Sequence, residues 1–270
     1  MNIKKEMFLA LIPFILLGCG GSSDTTNETD NKIPVPKITW QWQLQGDLDT
    51  SYDVDMYDID LFNTKEDTIN ELRSKGKQVI CYFSAGSYED YRPDSDKFLE
   101  DDKGDELDGW DGEYWLDIRS ANVRSIMQDR LDLAVDKNCS GVEPDNVDGY
   151  SNSNGLDLTY EDQLDYNKFI ATEAKKRGLK VMLKNDLDQI KDLVTYYDYA
   201  LNEQCHAYNE CEYLTPFTDA GKPVFNAEYD DKYVNDEDAR AALCKDATAN
   251  DIRTLVLPQA LDNSFRYSCD

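Results

Sequence analysis

The sequence holds one histidine, His206, among 270 residues. That scarcity excludes multi-histidine zinc sites and argues against a Ser-His-Asp triad. Basic residues are also few: 28 Lys and Arg face 55 Asp and Glu, a net charge of −27 at pH 7. Such a chain lacks the basic surface that nucleic acid or anionic lipid requires. A cationic partner suits it, as does simple solubility. No Gly-rich phosphate turn of the G-x-G-x-x-G kind is found. Long apolar runs are missing too, with one exception at residues 7–17. That run is too short to span a bilayer and follows Lys4 and Lys5, the pattern of a signal-peptide core.

The run ends in Leu16-Leu17-Gly18-Cys19, which resembles the lipobox of bacterial lipoproteins. The resemblance implies a signal peptide over 1–18 and a lipidated Cys19 as the mature N-terminus. The competing reading is a plain secreted protein. Residues 19–37 then read as a tether, rich in Gly, Ser, Thr, Asn and Asp and stiffened by Pro34 and Pro36. The expected location is the cell envelope, lipid-anchored; Gly20 resembles the sorting pattern for an outer membrane or cell surface. Six cysteines remain, an even number that suggests disulfides in an exported chain. Six allow fifteen full pairings and spacing alone does not choose among them; Cys205–Cys211 as a loop staple and Cys244–Cys269 as a tie on the C-terminus are the pairings favoured. Cys81 and Cys139 either pair or stay as buried thiols.

Past Pro36 there is no linker and no composition break. Eight apolar or β-branched segments predict strands at 39–44, 54–62, 78–84, 141–145, 180–184, 197–202, 223–228 and 254–258. Helical patterns separate them, clearest at 64–75, 122–137, 160–177 and 236–249. The third of these shows the signals. Thr159 with Asp162 makes a capping-box start, and Gly178 after Lys175, Lys176 and Arg177 makes a C-terminal stop. Strand and helix alternation predicts an α/β protein with a parallel sheet. Eight units in about 230 residues fit a single (β/α)8 TIM-type barrel over 38–270. An open doubly wound sheet is the alternative.

Chemistry in such barrels sits at the carboxyl ends of the strands. There the sequence places Asp58 and Asp60, then Tyr82, Ser84 and Glu89, then Asp145, Asn146 and Asp148, then Lys184 and Asn185, then Glu203, then Glu228 and Tyr229. Carboxylates converging from different strands suit glycosidic cleavage: one protonates the leaving oxygen and another meets the cation-like sugar. Any single acid in so acidic a chain reads more simply as a solvated group. The run 143–148 could instead hold a cation, but it lacks the D-x-[DN]-x-[DN]-G spacing of a calcium loop. Lys184 reads either as a Schiff-base lysine or as an ion-pair partner of neighbouring carboxylates. His206 reads as a loop hydrogen-bonding residue. Four Trp and 17 Tyr supply rings that stack on sugars. Trp40 lies with Trp42 in the first strand, and Trp110 and Trp115 lie in a polar, Gly-containing stretch read as a loop.

The strings W-Q-W-Q-L at 40–44, Y-D-I-D-L-F at 57–62, Y-F-S-A-G-S-Y-E at 82–89 and W-D-G-E-Y-W-L-D at 110–117 go together with E-P-D-N-V-D-G-Y at 143–150, L-K-N at 183–185, N-E-Q-C at 202–205, Y-N-E-C at 208–211 and E-Y at 228–229. As an ordered set they resemble glycoside hydrolase family 114, the endo-α-1,4-polygalactosaminidases. The resemblance implies a (β/α)8 barrel that cuts α-1,4-linked galactosamine polymers of biofilm matrix, without a cofactor or metal. It places the nucleophile at Asp145 and the general acid/base at Glu203, a retaining assignment. Asp58, Asp60, Glu89, Asp148 and Glu228 would hold the ammonium groups of a deacetylated chain. The partner expected is thus a cationic galactosamine-containing polysaccharide, bound by a monomer. The alternatives are a non-catalytic polysaccharide-binding lipoprotein and a barrel glycosidase for another α-linked sugar.

Overall fold

The computed structural model describes residues 33–270. The expected signal segment 1–18, the lipidation site Cys19 and the tether as far as residue 32 lie outside the described residues. In chain order the elements are β1 (Trp40–Gln43), β2 (Met56–Asp60), α1 (Glu66–Ser74), β3 (Gln78–Ser84), β4 (Ser87–Glu89), β5 (Lys103–Glu106), β6 (Glu113–Leu116), α2 (Ala121–Asp136), β7 (Gly141–Asp145), α3 (Tyr160–Lys176) and β8 (Lys180–Lys184). They continue with α4 (Ile190–Leu193), β9 (Tyr199–Glu203), α5 (Cys205–Tyr208), α6 (Thr215–Asp219), β10 (Val224–Glu228), α7 (Asp231–Asn235), α8 (Glu237–Ala249), β11 (Ile252–Val256) and β12 (Tyr267–Ser268).

The main sheet runs β1-β2-β3-β7-β8-β9-β10-β11, all parallel, with β12 antiparallel on the edge of β11. These parallel strands are the eight that the sequence predicts, curled into a (β/α)8-type barrel. Side chains bridge the seam between β11 and β1. The Trp40 indole N–H donates to the Arg253 carbonyl at 3.1 Å, and Arg266 donates to the Trp40 carbonyl at 2.8 Å. The regular alternation fails at both ends, since the described chain has no helix between β1 and β2 and none after β11.

Alternation within the strands decides what faces the barrel interior. One core cluster gathers Trp40, Met56, Ile80, Met182, Tyr199, Leu201, Phe225, Ala227 and Leu255 from seven strands, and these point inward. Their neighbours Ile59, Val79, Cys81, Phe83, Val142, Leu183 and Ala200 pack under the helices in a second cluster. Both faces are buried, so the strands read as near-continuous apolar runs. Along four of the inward rows the side chains turn polar toward the carboxyl end: Met56 gives way to Asp58 and Asp60, Ile80 to Tyr82, Met182 to Lys184, and Leu201 to Glu203.

The stretch 107–117, read from sequence as a loop, includes a strand. A small antiparallel sheet in the order β4-β6-β5 stands between β3 and α2. Gly109 and Gly112, at φ 83° and 84°, supply left-handed turns between β5 and β6 that other residues adopt at a cost. Two buried arginines fasten this excursion. Arg92 donates to Glu89 at 2.8 and 2.7 Å and to Asp60 at 2.7 Å. Arg130, from α2, donates twice to Asp94 at 2.9 Å and once to the Ser84 carbonyl at 2.7 Å. Multiple hydrogen bonds to each guanidinium offset its removal from water.

Helix α3 begins as its sequence predicts. Thr159 Oγ1 accepts the Asp162 N–H at 3.1 Å, and Asp162 accepts the Thr159 N–H at 3.0 Å. The six described cysteines form three disulfides: Cys205–Cys211 and Cys244–Cys269 as expected, and Cys81–Cys139. The last closes 58 residues and ties the outward face of β3 to the end of α2. A loop of that length gives about 4 kcal/mol in the chain-entropy treatment, against about 2 for a loop of six. The Cys81→Ala, Cys139→Ala double variant is therefore expected to lose about 4 kcal/mol, read as a lower urea midpoint, with a steeper slope because the freed unfolded chain is more expanded. The Cys205→Ala, Cys211→Ala variant should lose about half as much.

Candidate active site

Three consecutive strands end the same way. β7, β8 and β9 finish in Asp145, Lys184 and Glu203, and the next residues, Asn146, Asn185 and Gln204, have φ of 58°, 47° and 64°. The left-handed step turns the chain away and leaves the last inward side chain at the barrel mouth. Asn takes this conformation readily and Gln less so, which marks 204 as a constrained position. Gly86 meets this turn closely: a Cβ there would lie 1.7 Å from the Asn146 carbonyl oxygen. Only glycine fits.

The mouth opens into a cleft of about 1400 Å³. Lys184 stands at its floor, 3% exposed. Its ammonium lies 3.0 Å from Asp145 Oδ1, 3.2 Å from Glu203 Oε2 and 3.4 Å from Glu143 Oε1, and 5.0 Å above the Trp42 ring. Burial works against the charge of Lys184, but Asp145, Glu203 and Glu143 outweigh it and hold the amine well above its usual range. Three carboxylates within 3.4 Å make Lys184 an ion-pair partner of its neighbours, one of the two readings its sequence position allowed. Each bridged carboxylate has a second fixed donor. The Tyr82 hydroxyl donates to Asp145 Oδ2 at 3.0 Å, and the Tyr229 hydroxyl donates to Glu203 Oε1 at 2.5 Å. Burial first, then the adjoining carboxylate, pushes both phenols well above their usual range, so they stay donors. Asn185 completes the set: its amide donates to Glu203 Oε2 at 3.2 Å and its carbonyl oxygen accepts the Glu203 N–H at 3.0 Å.

Other sequence-predicted residues divide by position. Asp60, Tyr82, Trp110, Trp115, Asn146, Asp148, Lys184 and Asn185 line the cleft with Asp145 and Glu203. Asp60 is spoken for by Arg92 and by the backbone N–H groups of Phe62 and Asn63. Trp40, Asp58, Ser84, Glu89 and Glu228 lie away from the lining and are buried. Trp40 sits a layer below the floor, against Phe225. Glu228 is on the outward row of β10, next to inward Ala227, and its carboxylate accepts the His206 N–H at 2.9 Å at the start of α5. Glu89 is held by Arg92. Ser84 bonds Ser87 and the Asn146 amide. His206 pairs with Asp246 at 3.2 Å, and the sulfurs beside it are in a disulfide, which removes the thiolates a metal would need.

Sequence reasoning passed over Trp42, Tyr91, Arg92, Glu113 and the pair Asp105 and Glu106, all in the lining. Strand alternation could have found Trp42, two residues from Trp40 and so on the same face; nothing local marks the others. Glu113 accepts from Ser87 at 3.1 Å and forms no ion pair among the described residues. Burial, then the Glu89 charge, pushes its carboxyl up to about 7. Burial, then Asp145, pushes Asp148 up to about 6. The wall therefore carries carboxyls with no cation of their own, together with the half-exposed Trp110 at the rim.

A carboxylate pair on strand ends either side of a lysine-bearing strand, in an open cleft with aromatic rings and surplus acids, is the equipment of glycosidic bond cleavage. The comparisons agree. The family model of glycoside-hydrolase family GH114 matches residues 22–270. The chain is similar to Ega3 of Aspergillus fumigatus, solved in complex with galactosamine, at 46% identity and TM-score 0.81, covering 88% of this chain and 97% of that one. It shares the fold of the glycoside hydrolase domain of PelA from Pseudomonas aeruginosa, at 14% identity and TM-score 0.67, covering 84% and 96%. It also shares the barrel of Eubacterium rectale Amy13B, at 12% identity and TM-score 0.55, covering 79% and 63%. No curated protein matches the chain. The chain belongs to glycoside-hydrolase family GH114.

Proposed function

We propose that the protein cuts internal α-1,4 links of galactosamine-containing polysaccharide with retention at the anomeric carbon. Asp145 attacks that carbon while Glu203 gives a proton to the departing glycosidic oxygen. Glu203 then takes a proton from the water that frees the sugar from Asp145. The observation that carries the reading is the Lys184 bridge. Its contacts of 3.0 and 3.2 Å hold the nearest oxygens of Asp145 and Glu203 closer than the roughly 6.5–9.5 Å of an inverting pair. An open cleft of about 1400 Å³ exceeds the roughly 300–1,000 Å³ of a small-ligand pocket and suits binding along a chain. The 46% identical neighbour holds galactosamine, which supports an amino sugar here. The lipobox-like run further supports a lipid anchor at Cys19 and action at the cell envelope.

The decisive experiment is incubation of residues 33–270 with α-1,4-galactosamine polymer, following reducing ends, product size and anomeric configuration. Short oligomers released early as the α-anomer support all parts of the proposal. Monomer alone would remove the internal cut, and a β-product would remove retention.

Uncompensated Glu113 and Asp148 also predict a pH effect on binding. Both carboxyls are pushed up, to about 7 and about 6, so they lose negative charge as pH falls through that range. Affinity of the Glu203→Gln variant for deacetylated oligomer should therefore drop several-fold from pH 7.5 to 5.5, by calorimetry. Glu113→Gln should flatten the upper part of that drop. A fully acetylated oligomer has no ammonium and should show little change.

A further inference from the structure

Beneath Asp145 and Glu203 lies a second pair of acids that the proposed chemistry leaves unused. Asp58 on β2 and Glu143 on β7 point into the barrel and have no exposed surface. All four of their carboxyl oxygens are buried without a hydrogen-bond donor among the described residues, and the two acids are close enough to act on each other. Lys184, 3.4 Å from Glu143, is the one cation of the described residues in contact with the pair. Four acids thus converge on a single ammonium: Asp58, Glu143, Asp145 and Glu203. Four ionised carboxylates around one amine, two of them fully buried, would repel one another strongly. Burial pushes Asp58 and Glu143 well above the usual carboxylate range, with Lys184 opposing.

We propose that Asp58 and Glu143 share one proton, present one negative charge beneath Lys184, and by that fixed charge set the pH window in which Asp145 and Glu203 work. This rests on the catalytic reading above. Both are positioning residues, since they act through Lys184 and are sealed from the cleft. The other titratable groups around them are Tyr82 on β3, Asp148 after β7, and Tyr229 after β10. The two phenols stay protonated, and Glu228 faces away.

An amide mimics a protonated carboxyl, which makes the proposal testable by charge counting. In Asp58→Asn the remaining Glu143 ionises, and in Glu143→Gln the remaining Asp58 does; the pair keeps one negative charge. Each single variant should keep the wild-type pH profile of kcat/KM on polymer. The Asp58→Asn, Glu143→Gln double variant loses the charge. Uncompensated, the Lys184 ammonium then favours the ionised forms of Asp145 and Glu203, and the profile should move about one pH unit or more to lower pH. A single variant that shifts the profile as far as the double overturns the proposal, as does a double with no shift. Infrared difference spectra at pH 7 give a readout free of activity. Wild type minus either single variant should show one protonated-carboxyl band, and its absence overturns the shared proton whether or not the double variant folds. Should the wild type cleave no polymer, the pH-window half falls with the catalytic reading, while the infrared band still decides the shared proton.

Discussion

Asp145→Asn is expected to lower kcat on α-1,4-galactosamine polymer by at least about 10³-fold while leaving binding near wild type. Asn is isosteric; with its carbonyl oxygen toward Lys184 it keeps that bond, and its amide can donate to the Tyr82 hydroxyl in place of the bond Tyr82 gives Asp145, so the packing is preserved. What is lost is the proposed nucleophile and its negative charge toward the cation-like sugar. Glu203→Gln removes a proton donor instead, a loss of about 10²–10⁴-fold. The two roles separate on an aryl glycoside with a good leaving group, whose departure needs little protonation. That substrate should restore the first step in Glu203→Gln and not in Asp145→Asn. Azide gives a second separation. In Asp145→Gly it can enter the vacated face and yield a β-glycosyl azide, and in Glu203→Gly it can replace water and yield the α-azide. Reversed stereochemistry in the two variants would exchange the roles, and full activity in either would remove that residue from the mechanism.

The barrel was legible in the sequence because its strands are buried on both faces and bounded by clear helix signals, as at Thr159 and Gly178. The place of Asp145 and Glu203 at the cleft was legible through motif and strand end together. Position at a strand end was too coarse a rule for the rest. Glu228 and Glu203 both close strands, yet Glu228 occupies an outward row and serves α5, while Glu203 faces the cleft. One residue of register separates those fates. Applied to β10, the alternation of Phe225, Ala227 and Tyr229 would have set Glu228 outside and pointed to Tyr229 as the inward neighbour of Glu203. The excursion was illegible for a different reason. Its hold on the barrel runs through Arg92 and Arg130, whose partners Asp60, Glu89, Asp94 and Ser84 lie between 3 and 46 residues away in sequence. No local pattern records such pairings. Asp60, expected at an ammonium of the substrate, is engaged by Arg92 for that reason.

Lys184→Met is expected to cost about 3–5 kcal/mol of stability, because it leaves buried carboxylates without their cation. The thioether fills the space over Trp42, so packing changes little and the loss is electrostatic. The pH dependence carries the argument. Lys184 in the folded protein is held above its ordinary 10.5, so its contribution is fully present below that pH and fades only as pH rises through the folded value. Across neutral and mildly acid pH the wild type therefore keeps this stabilisation. The variant recovers part of its deficit on acidification, as its uncompensated carboxylates take up protons. The gap in urea midpoint between the two proteins should thus be widest near pH 8 and narrow toward pH 5. Lys184→Arg should not rescue, since a planar guanidinium cannot meet Glu143, Asp145 and Glu203 from one point above the indole. A midpoint gap that stays constant with pH would assign the loss to packing and remove Lys184 as the charge that holds the two carboxylates together.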